Sequence, residues 1–300
     1  MTERIDECDE ACQGRAVIAG AGAAGLTCAV YLARAGWKVD VYADEERSVS
    51  SLSMAPLIQN FPGFPEGIAG ADLLCRMQEQ AESAGAVIHP EGVEKVMADD
   101  NAALLTSGLV VYYDEFVQAT GSRHREFACP GSELVPVHYC AVCDGSLYGR
   151  NDEVIVVGGG DSAFGDALYL AGIAGKVTVL VRSGRLRVTN TAVRDAFLAT
   201  GRGEVMMNSR ITGIRKADRG FEAVVNGGER VVRADGLFAC IGCDPNTLPT
   251  EGENMTHFWQ CGDCVSGARR QAVIAAASGA DTALSMLSML NAWNDRGVQK

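Results

Sequence analysis

The sequence predicts an α/β fold in which two Rossmann-like, three-layer units each bind a dinucleotide. Two observations carry this prediction. A strand, a glycine-rich turn, a helix and a second strand occur in this order twice, at residues 15–42 and again at residues 153–181. The length of 300 residues is enough for about two domains. With 47% hydrophobic and 21% charged residues, the composition is that of an ordinary folded chain and excludes a disordered one.

Charge and apolar segments narrow the range of partners. Lys and Arg number 26 against 38 Asp and Glu, so the net charge is -12 and a nucleic-acid partner is not expected, because phosphates would be repelled. The first residues are acidic and polar, unlike a secretory signal. Residues 272–290 are apolar, but Gly279, Asp281 and several hydroxyl side chains make them a poor membrane span. We therefore expect a cytoplasmic protein with no membrane partner.

The first glycine-rich turn predicts a dinucleotide site. An apolar strand runs directly into a G-x-G-x-x-G pattern formed by Gly20, Gly22 and Gly25, and a helix is expected over 26–35. Such glycines permit a tight turn and let a pyrophosphate reach the N-terminus of the helix. Asp44 follows the second strand, where a carboxylate can accept hydrogen bonds from ribose hydroxyls. A dinucleotide with free ribose hydroxyls, such as FAD, fits this unit.

The second glycine-rich turn is followed by basic residues instead of an acid. The G-x-G-x-x-A pattern and its neighbours predict a second cofactor site made of Gly158, Gly160, Asp161, Ser162 and Ala163. Arg182 stands where the first unit has its acid, and Arg185 and Arg187 follow closely. Because an arginine at this place accommodates a ribose 2′-phosphate, we expect NADPH here, with NADH as an alternative. A solvated strand end is the competing interpretation of the arginines.

A C-x-x-C pair is the candidate for redox chemistry. Cys140 and Cys143 are spaced so that one disulfide can join them, and at the start of a helix such a pair favours a thiolate. Asp144 follows directly and can carry the proton that thiol exchange must move. Reduced structural thiols, or half of a zinc site, are the alternatives. His138, two residues before the pair, has either a packing role or an influence on the thiolate.

The remaining cysteines of the 11 leave several interpretations open. Two further pairs form a C-x2-C-x17-C-x2-C pattern made of Cys240, Cys243, Cys261 and Cys264. This spacing falls within that of four-cysteine zinc sites, but the flanking residues resemble buried strands, so inert thiols are favoured over an auxiliary disulfide or zinc. Cys8 and Cys12 lie in the N-terminal extension, where exposure would make them reactive without necessarily giving them a function. The single residues Cys28, Cys75 and Cys129 are expected in the core or without a role. We expect no metal site.

Taken together, these motifs resemble the low-molecular-weight, bacterial-type thioredoxin reductases over residues 15–290. Besides the two glycine motifs and the C-x-x-C-D-G segment, the resemblance rests on motifs in the order of that family: Asn60–Gly63, Ala119–Gly121, Ile241–Gly242, Pro245–Thr247, Gly262–Asp263 and Arg270–Ala272. No one of these motifs is specific, whereas their order along the chain is.

The resemblance implies a homodimeric flavoprotein whose FAD-binding domain, residues 1–121 and 245–300, is interrupted by an NAD(P)H-binding domain, residues 122–244. It also implies that the two domains rotate about hinges at 119–123 and 243–246. Cys143 would face the flavin, Cys140 would exchange with thioredoxin or a similar small redox protein, and Asp144 would shuttle the proton. FAD contacts are implied for Asn60, Gly262, Asp263, Arg270, Gln271 and Ala272.

Two segments depart from the family pattern. Residues 49–56 replace a G-G-Q-L stretch and a threonine-rich run, which changes the flavin contacts expected there. The NADPH signature H-R-R-x-x-x-R keeps its outer arginines as Arg182 and Arg187, but Val181 and Ser183 replace its histidine and middle arginine. Each lost charge-assisted contact to the phosphate corresponds to about 1.5–3 kcal/mol, so the preference for NADPH over NADH is expected to be reduced.

The function predicted from the sequence is a thioredoxin-disulfide reductase, which passes electrons from NAD(P)H through FAD and the C-x-x-C disulfide to a redox protein. One alternative keeps the fold but uses a ferredoxin-type donor or oxidises dithiols, since neither activity needs the arginines. Another is a non-catalytic, metal-binding or redox-sensing module built on the two later cysteine pairs. The reductase predicts a yellow protein with flavin absorbance and little zinc, and the metal module predicts a colourless protein that contains zinc.

Overall fold

The computed structural model describes residues 12–44, 50–55, 57–267 and 269–295. Within these ranges the helices are α1 (Ala23–Arg34), α2 (Gly70–Ser83), α3 (Ala141–Asp144), α4 (Asp161–Ala171), α5 (Thr191–Ala199) and α6 (Ala272–Asp295). The strands are β1 (Arg15–Ala19), β2 (Lys38–Tyr42), β3 (Val87–His89), β4 (Val93–Met97), β5 (Ala102–Leu105), β6 (Val110–Tyr112), β7 (Glu115–Gln118), β8 (Ser122–His124), β9 (Val137–His138), β10 (Glu153–Val157), β11 (Lys176–Leu180), β12 (Gly203–Met206), β13 (Ile211–Lys216), β14 (Phe221–Val225), β15 (Arg230–Ala234), β16 (Gly236–Ala239), β17 (Cys243–Pro245), β18 (Thr250–Glu251) and β19 (Phe258–Gln260).

The described chain forms two compact units. The first consists of the residues up to Arg123 together with those from Asp244 onward, and the second is His124–Cys243. The chain passes between them through β8 and β17, which pair with each other. Next to this pair, Asn246 donates its backbone N–H to Gly121 O and its side-chain amide to Thr120 O, and it accepts the Thr120 hydroxyl through its own carbonyl.

The first unit has three layers around a parallel sheet in the order β19-β7-β1-β2-β3. Side chains alternate between the two faces of a strand, so a central strand that is covered on both sides is apolar throughout. In β1, Ala16 and Ile18 pack against α1, α2 and α6, whereas Val17 and Ala19 pack against the second sheet, β18-β4-β5-β6. This arrangement fixes the strand that leads into the first glycine turn.

The second unit repeats this plan with a different second sheet. Its parallel sheet has the order β12-β11-β10-β16-β9, and an antiparallel sheet, β13-β14-β15, covers one face. In β10, Val154 and Val156 pack against α4 and α5, while Ile155 and Val157 face the antiparallel sheet. The central strand is again buried on both faces and leads into the second glycine turn.

Helix α6 is the one helix among those described that is long and apolar enough, by length and composition alone, to cross a membrane. Its residues Ala283 and Met286 are buried in the core with Leu26 and Leu32 of α1. The core of the first unit therefore accounts for part of its apolar surface. Leu284 and Met289 on the same helix are exposed.

Candidate active site

Four of the residues predicted to bind FAD, Gly20, Asp44, Gly262 and Asp263, lie at one edge of the first parallel sheet. The strands β19, β7, β1 and β2 are neighbours, and their carboxyl ends lead respectively into Cys261, Ala119, Gly20 and Ala43. Open α/β sheets bind ligands at this edge. Gly262 and Asp263 follow β19, and Asp44 follows β2, so motifs more than 200 residues apart in the sequence reach the same edge.

The first glycine turn has no room for side chains at two of its glycines. A Cβ on Gly25 would lie 1.9 Å from Gly20 O, and one on Gly20 would lie 2.4 Å from Ala119 O. Gly20 also has a φ of 110°, which L side chains rarely adopt. Gly22 caps α1 without a side-chain hydrogen bond, so no capping side chain occupies the first N–H groups of this helix. Such N–H groups at the start of a helix can bind a phosphate.

Asp263 and Arg270 supply the observation that tests the fit of this edge to FAD. Asp263 Oδ1 and Arg270 Nε are buried and have no hydrogen-bond partner among the described residues. Burial raises the pKa of the Asp263 carboxyl, and the nearby Arg270 lowers it again. Buried polar atoms without partners in the protein are costly unless a ligand satisfies them. Together with the glycine turn, these atoms fit the ribityl and phosphate groups of FAD.

Two residues implied to lie near the flavin contact each other. The Asn60 side-chain amide donates to Gln271 Oε1 at 2.9 Å, although 211 residues separate them. Gln271 directly precedes Ala272, the first residue of α6. Of the departing segment 49–56, Val49 and Pro56 lie outside the described residues; in the rest, Ser50 Oγ lies 3.8 Å from where a Cβ on Gly22 would be. This segment therefore borders the first glycine turn.

The second glycine turn lies at the corresponding edge of the second parallel sheet. Gly158 and Gly159 are tightly enclosed, since a Cβ on Gly158 would lie 2.5 Å from Cys240 O and one on Gly159 would lie 2.8 Å from Val181. Gly160 caps α4 with no atom within 4 Å of its Cβ position, and Ala163 is fully buried behind it. The exposed N-terminal turn of α4 fits a dinucleotide pyrophosphate.

Asp161, one of the residues predicted to bind the nucleotide, holds the neighbouring loop in place. Its carboxylate accepts hydrogen bonds from the Thr189 and Asn190 backbone N–H groups and from the Thr189 hydroxyl. These bonds lower the pKa of the carboxyl. Ser162 beside it is exposed. These hydrogen bonds connect the loop 182–190 to the first turn of α4. The loop carries Arg182, Arg185 and Arg187.

Arg182, Arg185 and Arg187 are all exposed on this loop, which follows β11. Among the described salt bridges and side-chain hydrogen bonds, none involves these three guanidinium groups. The Arg187 backbone N–H donates to Gly159 O at 2.6 Å, so Arg187 lies next to the second glycine turn. Unengaged guanidinium groups beside a pyrophosphate site fit a 2′-phosphate.

The C-x-x-C pair forms a disulfide at this same edge. Cys140 and Cys143 are joined, with their Cα atoms 5.4 Å apart. Cys140 follows β9 and caps the four-residue helix α3, and the Cys143 backbone N–H donates to Cys140 Sγ at 3.1 Å. Cys143 is exposed and Cys140 is half-buried. The predicted redox disulfide is thus present, on a short helix in the unit that carries the second glycine turn.

Asp144 has a partner that the sequence analysis did not assign. Its Oδ2 lies 3.0 Å from His138 Nδ1, and His138 Nε2 lies 2.8 Å from the Tyr148 hydroxyl. His138 is buried, whereas Asp144 is partly exposed. His138 therefore has a packing role, and its contact with Asp144 also connects it to the segment that carries the cysteine pair.

The two later cysteine pairs lie in different units of the fold. Cys240 and Cys243 belong to the second unit, whereas Cys261 and Cys264 belong to the first. All four are thiols, and the described residues contain no group of three or more metal-ligating side chains. Burial raises the pKa of the Cys264 thiol and also that of Cys261, which is fully buried. The interpretation as inert thiols fits Cys261 and Cys264 best.

Cys240 has a more polar environment than the other thiols. Its Sγ donates to Asp166 Oδ2 at 3.2 Å, and Asp166 also accepts a backbone hydrogen bond from Ala141 in the redox helix. Burial raises the pKa of Asp166 to about 6 and raises that of the Cys240 thiol as well. The thiolate of Cys240 is therefore disfavoured, and this cysteine is a poor nucleophile.

The remaining cysteines differ in exposure. Cys28 is buried in the core of the first unit, as expected, and burial raises the pKa of its thiol to about 12. Cys75 on α2 is exposed and Cys129 is half-buried. Cys12 is part of a disulfide, and Cys8 lies outside the described residues.

Comparison with known proteins places this geometry in a family. The family model described as pyridine nucleotide-disulphide oxidoreductase matches residues 14–279. A thioredoxin reductase of Streptomyces clavuligerus is 31% identical, with 93% of this chain and 94% of the relative covered. The thioredoxin reductase of Penicillium chrysogenum is 32% identical, with 90% and 93% covered. The chain belongs to the thioredoxin reductases.

Solved structures agree with this assignment. The structure of Lactococcus lactis thioredoxin reductase has a TM-score of 0.81 and 26% identity, covering 92% of this chain and 98% of that one. The predicted family is confirmed, as are the α/β fold with two dinucleotide-binding units and the enzyme class, a flavin-dependent disulfide reductase. The predicted cofactors, FAD and NADPH, are those of thioredoxin reductases.

Proposed function

We propose that this thioredoxin reductase passes electrons from NADPH through FAD to the Cys140–Cys143 disulfide and from there to thioredoxin or a similar small redox protein. The supporting observation is that this disulfide lies at the same sheet edge as the second glycine turn, in a partly exposed segment. In this proposal residues 1–121 and 245–300 bind FAD, and residues 122–244 bind the pyridine nucleotide. Gly20, Asp263 and Arg270 would hold the FAD, which would supply the two-electron link between NADPH and the disulfide.

The reduced cysteines then exchange with the partner's disulfide in two steps. Cys140 attacks one sulfur of that disulfide, which forms a mixed disulfide and releases one partner thiolate. Cys143 next attacks the Cys140 sulfur, which closes the enzyme disulfide and releases the partner as a dithiol. Cys140 and Cys143 each lose a thiol proton to water and each partner sulfur gains a proton, so two electrons and two protons pass to the partner. Asp144 donates the proton to the first leaving thiolate, and the second thiolate is protonated from water. These roles follow the resemblance to thioredoxin reductases.

The Cys143→Ser variant tests this proposal. We expect NADPH to bleach its flavin absorbance under anaerobic conditions as in the wild type, while turnover with thioredoxin is lost, because no enzyme disulfide can form. Cys75→Ser is the matched control, since this thiol is exposed on α2 of the other unit and should leave both readings unchanged. Retained turnover in Cys143→Ser would show that another cysteine pair carries the chemistry.

A homodimer and a cytoplasmic location belong to the same proposal. Val273, Leu284 and Met289 are exposed apolar side chains on α6, and the last two border a surface recess with Trp259. An exposed apolar patch of this kind fits burial against a second copy of the chain. The seven cysteines that stand as thiols in the described residues fit a reducing compartment.

A further inference from the structure

A continuous chain of three polar side chains lies behind the redox disulfide. It begins at the Asp144 carboxylate, passes through both ring nitrogens of His138 and ends at the Tyr148 hydroxyl, with separations of 3.0 Å and 2.8 Å. Asp144 immediately follows Cys143. These three side chains therefore connect Asp144, the proposed proton carrier, to the phenol of Tyr148, which lies beyond the helix that carries the two cysteines.

The orientation of the His138 ring is fixed by packing. His138 pairs with Phe238 in the parallel register of β9 and β16, and the two rings stack with their centroids 5.0 Å apart. Tyr148 meets the edges of both rings at 5.7 Å. The His138 side chain is 10% exposed, against 36% for Asp144. The imidazole cannot turn to solvent, so both of its nitrogens depend on these two partners.

The chain can satisfy Asp144 in either protonation state. With an ionised carboxylate, His138 donates from Nδ1 and the Tyr148 hydroxyl donates to Nε2. With a protonated carboxyl, Asp144 donates to Nδ1 and Nε2–H donates to the Tyr148 oxygen. In both states Nδ1 stays 3.0 Å from Asp144 Oδ2 and Nε2 stays hydrogen-bonded to the Tyr148 hydroxyl, and only the position of the shared protons differs. Gaining or losing a proton at Asp144 thus leaves no buried group without a partner.

We propose that His138 and Tyr148 are positioning residues that hold Asp144 and return a proton to it after each thiol–disulfide exchange. This inference rests on the proposed function, in which Asp144 donates a proton to a leaving thiolate. Tyr148 passes its proton to Nε2, Nδ1 passes its own to the carboxylate, and the phenol oxygen takes a replacement from water. No bond between heavy atoms changes, and one proton enters at Tyr148 for each that leaves at Asp144.

The surroundings of Tyr148 keep its phenol protonated before each transfer. Burial is the main cause that raises the pKa of this phenol, and the carboxylates of Asp144, Asp152 and Asp235 raise it further. A phenol with a raised pKa holds its proton more tightly, so Tyr148 is protonated in the resting enzyme and its oxygen takes up a proton from water after each transfer. Tyr148 therefore serves as the outer end of the chain.

His138→Phe is the first test, because it keeps a ring that can stack on Phe238 and removes both nitrogens. We expect kcat with thioredoxin to fall about tenfold, as for loss of a polar contact with a charged group, with KM for thioredoxin unchanged. Stopped-flow reduction of the flavin by NADPH in the holoenzyme should stay within about twofold of wild type, because no side chain assigned to nucleotide binding is altered.

A double-mutant cycle separates this role from a structural one. If His138 acts through Asp144, His138→Phe should cost less than about twofold in the Asp144→Asn background. Tyr148→Phe, which keeps the ring and the His138–Asp144 contact, should lower kcat in the same direction. Tyr112→Phe is its control, because the Tyr112 phenol is exposed on β6.

An equal cost of His138→Phe in both backgrounds, or slowed flavin reduction in that variant, would overturn the inference and assign His138 to packing. Wild-type kcat in Tyr148→Phe would overturn the role of the phenol. The wild-type enzyme distinguishes failure of the proposed function from failure of this inference. If NADPH reduces its flavin but the enzyme does not reduce thioredoxin, the proposed function is wrong and the inference that rests on it is wrong as well.

Discussion

Arg182 is the residue that we expect to distinguish NADPH from NADH. Its guanidinium is exposed beside the second glycine turn and makes none of the described salt bridges. We expect Arg182→Ala to raise KM for NADPH about tenfold or more and KM for NADH less than about twofold, because only NADPH carries the 2′-phosphate. Steady-state kinetics with each donor measure this.

Arg230→Ala is the control for that change, since it removes an exposed arginine from β15 of the same unit. Equal effects of Arg182→Ala on the two donors would mean that Arg182 does not contact the 2′-phosphate. Two of the family's charged contacts are replaced by Val181 and Ser183, so the wild type itself is expected to favour NADPH only moderately.

Asp263 is the residue whose loss should release the flavin. Asp263→Ala removes a buried oxygen that has no partner in the described protein and leaves Arg270 without its counter-charge. We expect FAD affinity to fall about ten- to hundredfold, corresponding to about 1–3 kcal/mol. The flavin content per chain after purification and dialysis measures this, with Asp281→Ala, an exposed position on α6, as the control. Full flavin content in Asp263→Ala would contradict this assignment.

Individual residues differ in how far the sequence could predict them. The motif residues Gly20, Gly158 and Cys140 were predictable because local spacing alone specifies their turn or disulfide. The contact of Asn60 with Gln271 was implied only by family resemblance, since 211 residues separate them. The link between His138 and Asp144 was missed because it depends on the pairing of β9 with β16, which no local pattern specifies.

At the scale of elements, the start of α1 tests how the first glycine turn works. Gly25→Ala would place a Cβ 1.9 Å from Gly20 O, a backbone atom that cannot move without displacing β1. We expect this variant to lose most of its FAD and to melt at a lower temperature. Gly165→Ala is the control, because no atom lies within 4 Å of its Cβ position in α4 and alanine favours a helix by about 1 kcal/mol.

A Gly25→Ala protein that keeps its flavin would show that this turn relaxes, and the close approach would then have no binding role. Thermal melting followed by far-ultraviolet circular dichroism separates loss of the cofactor from loss of the fold. Both variants change glycine to alanine inside the helix that follows a glycine turn, so helix propensity acts equally in the two.

The parallel strands were the elements best predicted from sequence. Strands β1 and β10 are buried on both faces, and their continuous apolar runs before glycine turns make them recognisable. Helix α1 starts at Ala23, three residues before the predicted position 26, because it begins directly after its cap, Gly22. The antiparallel sheet β13-β14-β15 was not predicted, since its strands mix exposed charged residues with core residues and carry no motif.

The whole molecule is expected to be a dimer, and α6 provides the test. Leu284→Asp places a charge in the exposed apolar patch of this helix and should shift the protein toward monomer in sedimentation velocity. Leu109→Asp is the control, because Leu109 is 52% exposed and Leu284 is 51% exposed in the same unit. An unchanged dimer in Leu284→Asp would place the interface elsewhere, and a monomeric wild type would remove this part of the proposal.

The interruption of the first unit has a consequence for biosynthesis. Strand β19 pairs with β7 through Phe258 and Phe116, so a contiguous second unit is translated between two partners of one sheet. Domains tend to fold as they leave the ribosome, N-terminal parts first. The second unit therefore has all of its sequence before Phe258 is synthesised, whereas the first unit must wait for its last strand. A nascent chain stalled before that point carries the whole second unit with Cys140 and Cys143, but it lacks Asp263 and cannot complete the proposed flavin site.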